Sequence, residues 1–280
     1  MVARSIGHVG VASGSRRVAR YRRPRMDVMV VSPRARTGAV HPRTEPAERH
    51  VRALVAAGHR VRWLRPVPEG GSDAPVEGAE TVAFHDPVPA FREVYDRFYH
   101  VSLETRMCEW LRDDPADVVL VDGYGGVTTY LPPWFARRLG IASVAVAEPI
   151  VDIVCHRGTL VDEAGAACDR WDEPGRCLTC CTVPFQGVPT RRTARLARWT
   201  RWLGPLAKPP RLSDFENRID MWVHGLDAAD VVLVADEAGR DALERALLPM
   251  RAVAVGVPEP EDLPAWTEIY GRAIRAGRQE

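Results

Sequence analysis

The sequence predicts an α/β fold: a single Rossmann-like domain with a parallel sheet of about six to seven strands, a cysteine-rich insertion and a C-terminal clasping helix. Three observations predict it. Short valine-rich runs, such as Val118–Val121 and Val231–Val234, read as strands buried on both faces. Segments of helical periodicity alternate with them along the chain. A glycine-bearing turn, Asp122-Gly123-Tyr124-Gly125-Gly126, joins one of the runs to the helical segment after it, which together with the next apolar run makes a βαβ unit. No internal repeat interrupts this alternation.

The first strand covers 26–31 and leads into a loop over 32–43 that contains Gly38. A helix over 45–57 carries Ala47, Val51, Leu54 and Val55 on one side, and Gly58 stands where a helix C-cap belongs. Residues 60–64 form the second strand and 82–84 a short third one. A helix over 89–111 shows Phe91, Val94, Tyr95, Phe98 and Leu103 on a broad apolar face. Strand four is 118–121, a helix follows to Leu139, and strand five is 141–147. Beyond the cysteines, 190–206 is amphipathic, with Leu196, Trp199, Leu203 and Leu206 opposite an arginine cluster. Helices over 215–225 and 236–247 flank a strand at 231–234, and 252–255 is the last short strand. Residues 258–264 are a linker and 265–276 a terminal helix, anchored by Trp266 and Tyr270. The resulting organisation is a basic, disordered tail over 1–25, a domain over 26–257 with its cysteine insertion at 150–185, and a linker and helix over 258–280.

Composition narrows the function. The formal net charge is +1, so no overall electrostatic footprint for nucleic acid exists. Lys208 is the only lysine among 38 basic residues, a bias that makes arginine counts poor markers of phosphate sites. No run reaches the length of a membrane span, and the amino terminus lacks the apolar core of a secretory signal. The expected location is cytoplasmic. The 190–206 helix has two readings: a peripheral contact with an anionic membrane face, or a surface helix packing its apolar side on the domain.

Five of the six cysteines fall between Cys155 and Cys181. Cys155, Cys168, Cys177 and Cys180 supply four thiolates, the last two at C-x-x-C spacing, which lets a short turn aim two sulfurs at one tetrahedral ion. Four soft ligands would select a structural zinc. Buried reduced thiols or a redox pair are the competing reading, and Cys108 belongs to the core.

In open α/β sheets ligands sit outside the carboxyl ends of the strands. Asp122, Gly123, Gly125 and Glu148 all lie at that edge. Asp122 and Glu148 are the candidate catalytic carboxylates, able to accept hydrogen bonds from a hydroxyl or to take its proton. Equally, Asp122 can cap the following helix, and Glu148 can be a solvated rim residue. Gly38 is a further candidate for ligand contact, or simply a turn glycine. His50 and His59 read as packing or surface residues.

Several segments, in order, carry a resemblance. They are Glu48-Arg49-His50-Val51-Arg52-Ala53-Leu54 with Gly58-His59-Arg60-Val61, then Asp117 to Gly123, then Arg137-Arg138-Leu139-Gly140-Ile141. Cys155-His156-Arg157-Gly158-Thr159-Leu160 and Ala229 to Ala235 follow. Together they resemble the amino-terminal, acceptor-side domain of family 4-type glycosyltransferases, enzymes built from two facing Rossmann-like domains. The resemblance covers about residues 27–257, and 265–275 resembles the family's final helix, which crosses back onto the first domain. The first loop holds one glycine where the family usually has two or more, and Pro149-Ile150 stand where a His-Asp pair is common. The span that would hold the nucleotide-sugar domain is missing between Val257 and the final helix.

The resemblance therefore implies the acceptor-side half of a glycosyltransferase, transferring a sugar from a nucleotide sugar only with a partner that supplies the donor domain. A non-catalytic binding or regulatory subunit of a glycosylation pathway, a pseudoenzyme, is the alternative. The implied partner is a protein carrying a nucleotide-sugar domain or a full glycosyltransferase.

Overall fold

The computed structural model describes residues 25–32, 44–67, 75–85, 101–124, 131–148, 168, 173–182, 212–246 and 253–278. Seven strands form one open, wholly parallel sheet: β1 (Asp27–Val31), β2 (Arg60–Val67), β3 (Glu80–His85), β4 (Val118–Val121), β5 (Ala142–Val146), β6 (Val231–Val234) and β7 (Val253–Val255). Their spatial order is β3-β2-β1-β4-β5-β6-β7. The described helices are α1 (Thr44–Ala56), α2 (Val101–Asp113), α3 (Pro132–Arg138), α4 (Pro174–Thr182), α5 (Leu212–Asp227), α6 (Glu237–Ala246) and α7 (Leu263–Gly277).

Side chains alternate across each strand, so each face of the sheet needs its own cover. Val28, Val30, Val118, Leu120, Val144, Val146, Val231 and Leu233 face one core, which α1 covers with Val51 and Leu54. To the same core α7 adds Trp266, Ile269, Tyr270 and Ala273. Met29, Val31, Val119, Val121, Ala145, Val232 and Val234 face the other, closed by Met107 and Leu111 of α2, Ala136 of α3, Trp222 and Leu226 of α5, and Leu243 of α6. The strand sequences are apolar on both sides for this reason, and the cover on both faces is what lets an all-parallel sheet persist.

Helix α1 ends in a Schellman turn. The Gly58 N–H donates to the Val55 carbonyl at 2.9 Å and the His59 N–H to that of Leu54 at 3.1 Å, with Gly58 at φ +85°. The carboxylates just before the strands stitch the amino edge. Asp117 accepts from the Asp27 N–H at 2.8 Å, and Asp230 accepts from the Ser143 N–H at 2.8 Å. The aspartates that directly precede β4 and β6 are thus strand clamps.

Some expected bounds shift. Strand β3 runs longer than 82–84 because residues 80–85 all pair with β2, itself extended to Val67. The helix expected over 89–111 is described from Val101 to Asp113, and its core contacts are Met107 and Leu111. Phe91, Val94, Tyr95 and Phe98 lie outside the described residues. So do residues 1–24 and the amphipathic 190–206 segment. Cys108 is half-buried rather than part of the core, and burial chiefly raises its thiol pKa. The C-x-x-C pair stands on helix α4, where a short turn was expected. No helix among the described residues is long and apolar enough to cross a membrane.

Candidate functional site

The strand order reverses between β1 and β4. From β1 the chain passes through α1 on one face to β2, whereas from β4 it passes through α3 on the other face to β5. The two connections part at the carboxyl ends of β1 and β4, the topological switch point at which ligands usually sit in such sheets. Three polar residues continue the strand alternation at this edge: Ser32 after β1, Asp122 after β4 and Glu148 after β5. By that alternation all three belong to the face covered by α1 and α7.

Backbone bonds fix the edge. The Asp122 N–H donates to the Val31 carbonyl at 3.0 Å, and the Ser32 N–H to that of Leu64 at 3.0 Å. The Ser32 hydroxyl accepts from the indole Nε1–H of Trp63 at 2.6 Å. Gly123 turns the chain away immediately after Asp122 with φ +70°, a conformation that side chains resist. This turn stops β4 at its fourth residue, and Asp122, just beyond it, is buried.

The two carboxylates differ in access. Asp122 is 1% exposed, whereas Glu148 is half-buried at the rim. Asp122 acts on the phenol of Tyr270: burial first, and the Asp122 charge second, push that phenol's pKa well above its ordinary value. Tyr270 in turn lies 2.7 Å from His50 Nε2, and His50 Nδ1 lies 2.7 Å from the Pro260 carbonyl. Asp122, Tyr270 and His50 therefore form a buried polar cluster behind the edge, joining β4, α7 and α1.

Of the residues expected at the site, Asp122 and Glu148 come to neighbouring strand ends, with Gly123 forming the turn. Gly38 and Gly125 lie outside the described residues. Asp122 does not cap the next described helix, because the N-cap of α3 is Leu131, without a side-chain cap. Ser32, His50 and Tyr270 were not expected here. The signal for Ser32 is its position two residues past Val30 in the alternation, and for His50 its place three residues after Ala47 on the buried side of α1. Cys155 lies outside the described residues, and of Cys180 only the backbone is described. Cys168 and Cys177 are not in disulfides, and no group of three or more His, Cys, Asp or Glu able to hold a metal ion occurs among the described residues.

The parallel sheet and the helices on both its faces define a Rossmann-like α/β domain, with the strand-end polar residues as its candidate site. No family model matches the chain, and no curated protein matches it. Among solved structures it is similar to a sucrose-phosphate synthase from Thermosynechococcus elongatus, at TM-score 0.44 and 10% identity over 88% of this chain and 98% of that one. It is also similar to UGT73P12 of Glycyrrhiza uralensis, complexed with glycyrrhetinic acid 3-O-monoglucuronide (TM-score 0.40, 11% identity, 90% of this chain and 53% of that one). A third is UGT2 of Phytolacca americana, complexed with UDP-2fluoro-glucose and pterostilbene (TM-score 0.41, 13% identity, 87% and 57%). The chain spans little more than half the length of these two plant proteins.

Proposed function

We propose that this chain is the acceptor-side domain of a family 4-type glycosyltransferase, acting with a partner that supplies the nucleotide-sugar domain. The observation that carries the reading is the placement of Asp122 and Glu148 at adjacent strand ends, beside the point where strand order reverses. An accessible carboxylate at such a switch point suits a hydroxyl-bearing acceptor, whose O–H group donates to it. Glu148, at the rim, is the one placed to meet an acceptor directly. Helix α7 folding back onto β4, β5 and β6 agrees with the crossing helix that the resemblance implies.

Glycosyl transfer from a nucleotide sugar needs charge stabilisation around the departing diphosphate. In this reading those groups come from the partner, so the lone chain binds acceptor without turning over donor. Calorimetric titration of the purified protein with a panel of nucleotide sugars and free nucleoside diphosphates tests it. No binding by folded protein is the expected result. Micromolar binding of one nucleotide sugar would place a donor site on this chain and overturn the divided arrangement.

The burial of Asp122 favours a second reading, a non-catalytic binding or regulatory subunit. A carboxylate shut beneath Tyr270 cannot take a proton from an external hydroxyl while α7 is docked. Transfer that appears on adding a separate nucleotide-sugar domain, and is lost in Glu148→Gln, separates the enzyme from the pseudoenzyme.

A further inference from the structure

The contacts between α1 and the segment leading into α7 converge on one imidazole. His50 is 1% exposed, and both of its ring nitrogens are engaged across 210 and 220 residues of chain. A carbonyl oxygen only accepts, so the contact with Pro260 fixes the proton on Nδ1. Nε2 of the neutral ring is then the acceptor, and the Tyr270 O–H donates to it. Protonation of Nε2 reverses that bond: Nε2–H must donate to the Tyr270 oxygen, the phenol proton turns away from His50, and a charge is enclosed without its water.

We propose that neutral His50 is a proton-sensitive latch that holds α7 on the domain, and that taking up one proton releases the helix. The other groups facing the ring are named by their elements. From α7 come Tyr270 and the indole of Trp266, whose ring centroid is 4.4 Å from that of the imidazole. From the end of β4, Asp122 reaches the cluster through Tyr270. From the lead-in, Glu259 and Glu261 pair with Arg49, at 3.9 Å and 3.2 Å, in an exposed position beside His50. Trp266 is held by its Nε1–H donating to the Glu259 carbonyl at 3.0 Å, and Asp262 caps α7 by accepting from the Ala265 N–H at 3.2 Å. Lead-in and helix are thus tied to each other by their own bonds. An imidazolium enclosed there loses its water, whereas the released ring regains it. The exposed Arg49 pairs are too weakly coupled to hold the helix alone.

The latch stands without any assigned activity. That its release uncovers Asp122, and so regulates the candidate site, rests on the reading given above. Native-state hydrogen exchange of the α7 amides, followed on the full chain from pH 7.5 to 5, tests the latch without substrate. Exchange is compared after correction for intrinsic rates. A ring charged when released and neutral when enclosed makes α7 opening rise as pH falls, by at most about tenfold per pH unit for a single proton. Amides of β1 and β4 do not follow. In His50→Gln, which keeps a donor and an acceptor but does not titrate, α7 opening loses its pH dependence. In Tyr270→Phe opening increases at every pH, and the dependence on pH persists. The proposal is overturned by α7 protection that stays constant to pH 5 or by pH dependence that survives in His50→Gln. A nitrogen-15 spectrum showing the Nε2–H tautomer at pH 7.5 overturns it as well.

Discussion

Arg62 Nη2 lies 2.9 Å from Asp27 Oδ1, and the guanidinium making that contact is fully buried. It stands at the amino edge of the sheet, opposite the candidate site, between β1 and β2. Its Nε–H also donates to Asp27, its Nη1 donates to the Asp114 carbonyl, and its plane lies 5.6 Å from the centroid of the Trp110 ring. A buried cation with each of its three nitrogens hydrogen-bonded fixes how α2 returns into β4, but it does so at a desolvation cost that its partners must offset.

Removing one partner is therefore worse than removing the cation. Asp27→Ala leaves the Arg62 charge in place without its main counter-ion and lowers stability by about 3 kcal/mol. Arg62→Met removes charge and desolvation together and costs less. Urea melts of the two variants, compared at equal slope, give the ranking.

Asp114 shapes the acid limb. Its hydrogen bond from Arg60, and then the positive charge of Arg62, lower its pKa below the ordinary carboxylate value. The stabilising contribution of such a group is present above about pH 4 and is lost as pH falls through the lowered folded value. Asp114→Asn should flatten this part of the stability-against-pH curve and leave the curve above pH 5 parallel to that of the parent.

Tyr270 shapes the alkaline limb with the opposite sign. Burial and the Asp122 charge raise its pKa, so the folded chain keeps a phenol proton that the unfolded chain gives up near pH 10. Stability is intact below that value and falls as pH rises beyond it. The Tyr270 phenol should be missing from the ordinary titration followed by absorbance at 295 nm, so the difference between the parent and Tyr270→Phe curves should show no step near pH 10.

Two glycines with similar backbones separate conformation from space. Gly58 has φ +85° with open space where a Cβ would sit. Gly78 has φ +84°, but a Cβ there would meet Val55 Cγ1 at 2.7 Å. Gly58→Ala should cost about 1 kcal/mol, the conformational cost alone. Gly78→Ala should cost more, because Val55 must shift as well. Thermal melts of the pair measure the difference.

Much of this fold was legible in the residues. Strands β4 and β6 fall where their valine runs predict, because each run is bounded by an aspartate before it and a turn after it. The parallel architecture follows from strand–helix alternation, and the docking of α7 from Trp266 and Tyr270 on one side of its helix. The carboxyl edge was legible as a place but not as a cluster. Asp122 and Glu148 could be assigned to strand ends from local pattern alone, whereas the His50–Tyr270 contact spans 220 residues and leaves no periodic trace. Nor does periodicity distinguish an aspartate that caps a helix from one that turns beneath a distant one. That choice rests on Gly123 and on the late return of α7, a tertiary matter.

The late return of α7 has a consequence during synthesis. Trp266, Ile269, Tyr270 and Ala273 complete the core over β4, β5 and β6, yet they are made more than a hundred residues after β5. On the ribosome, the cover that α7 gives this face waits until residues to about 277 have cleared the exit tunnel. At about 5–20 residues per second the nascent chain spends several seconds without it. The interval is a window in which a chaperone could shield this face, or in which neighbouring nascent chains could stick together.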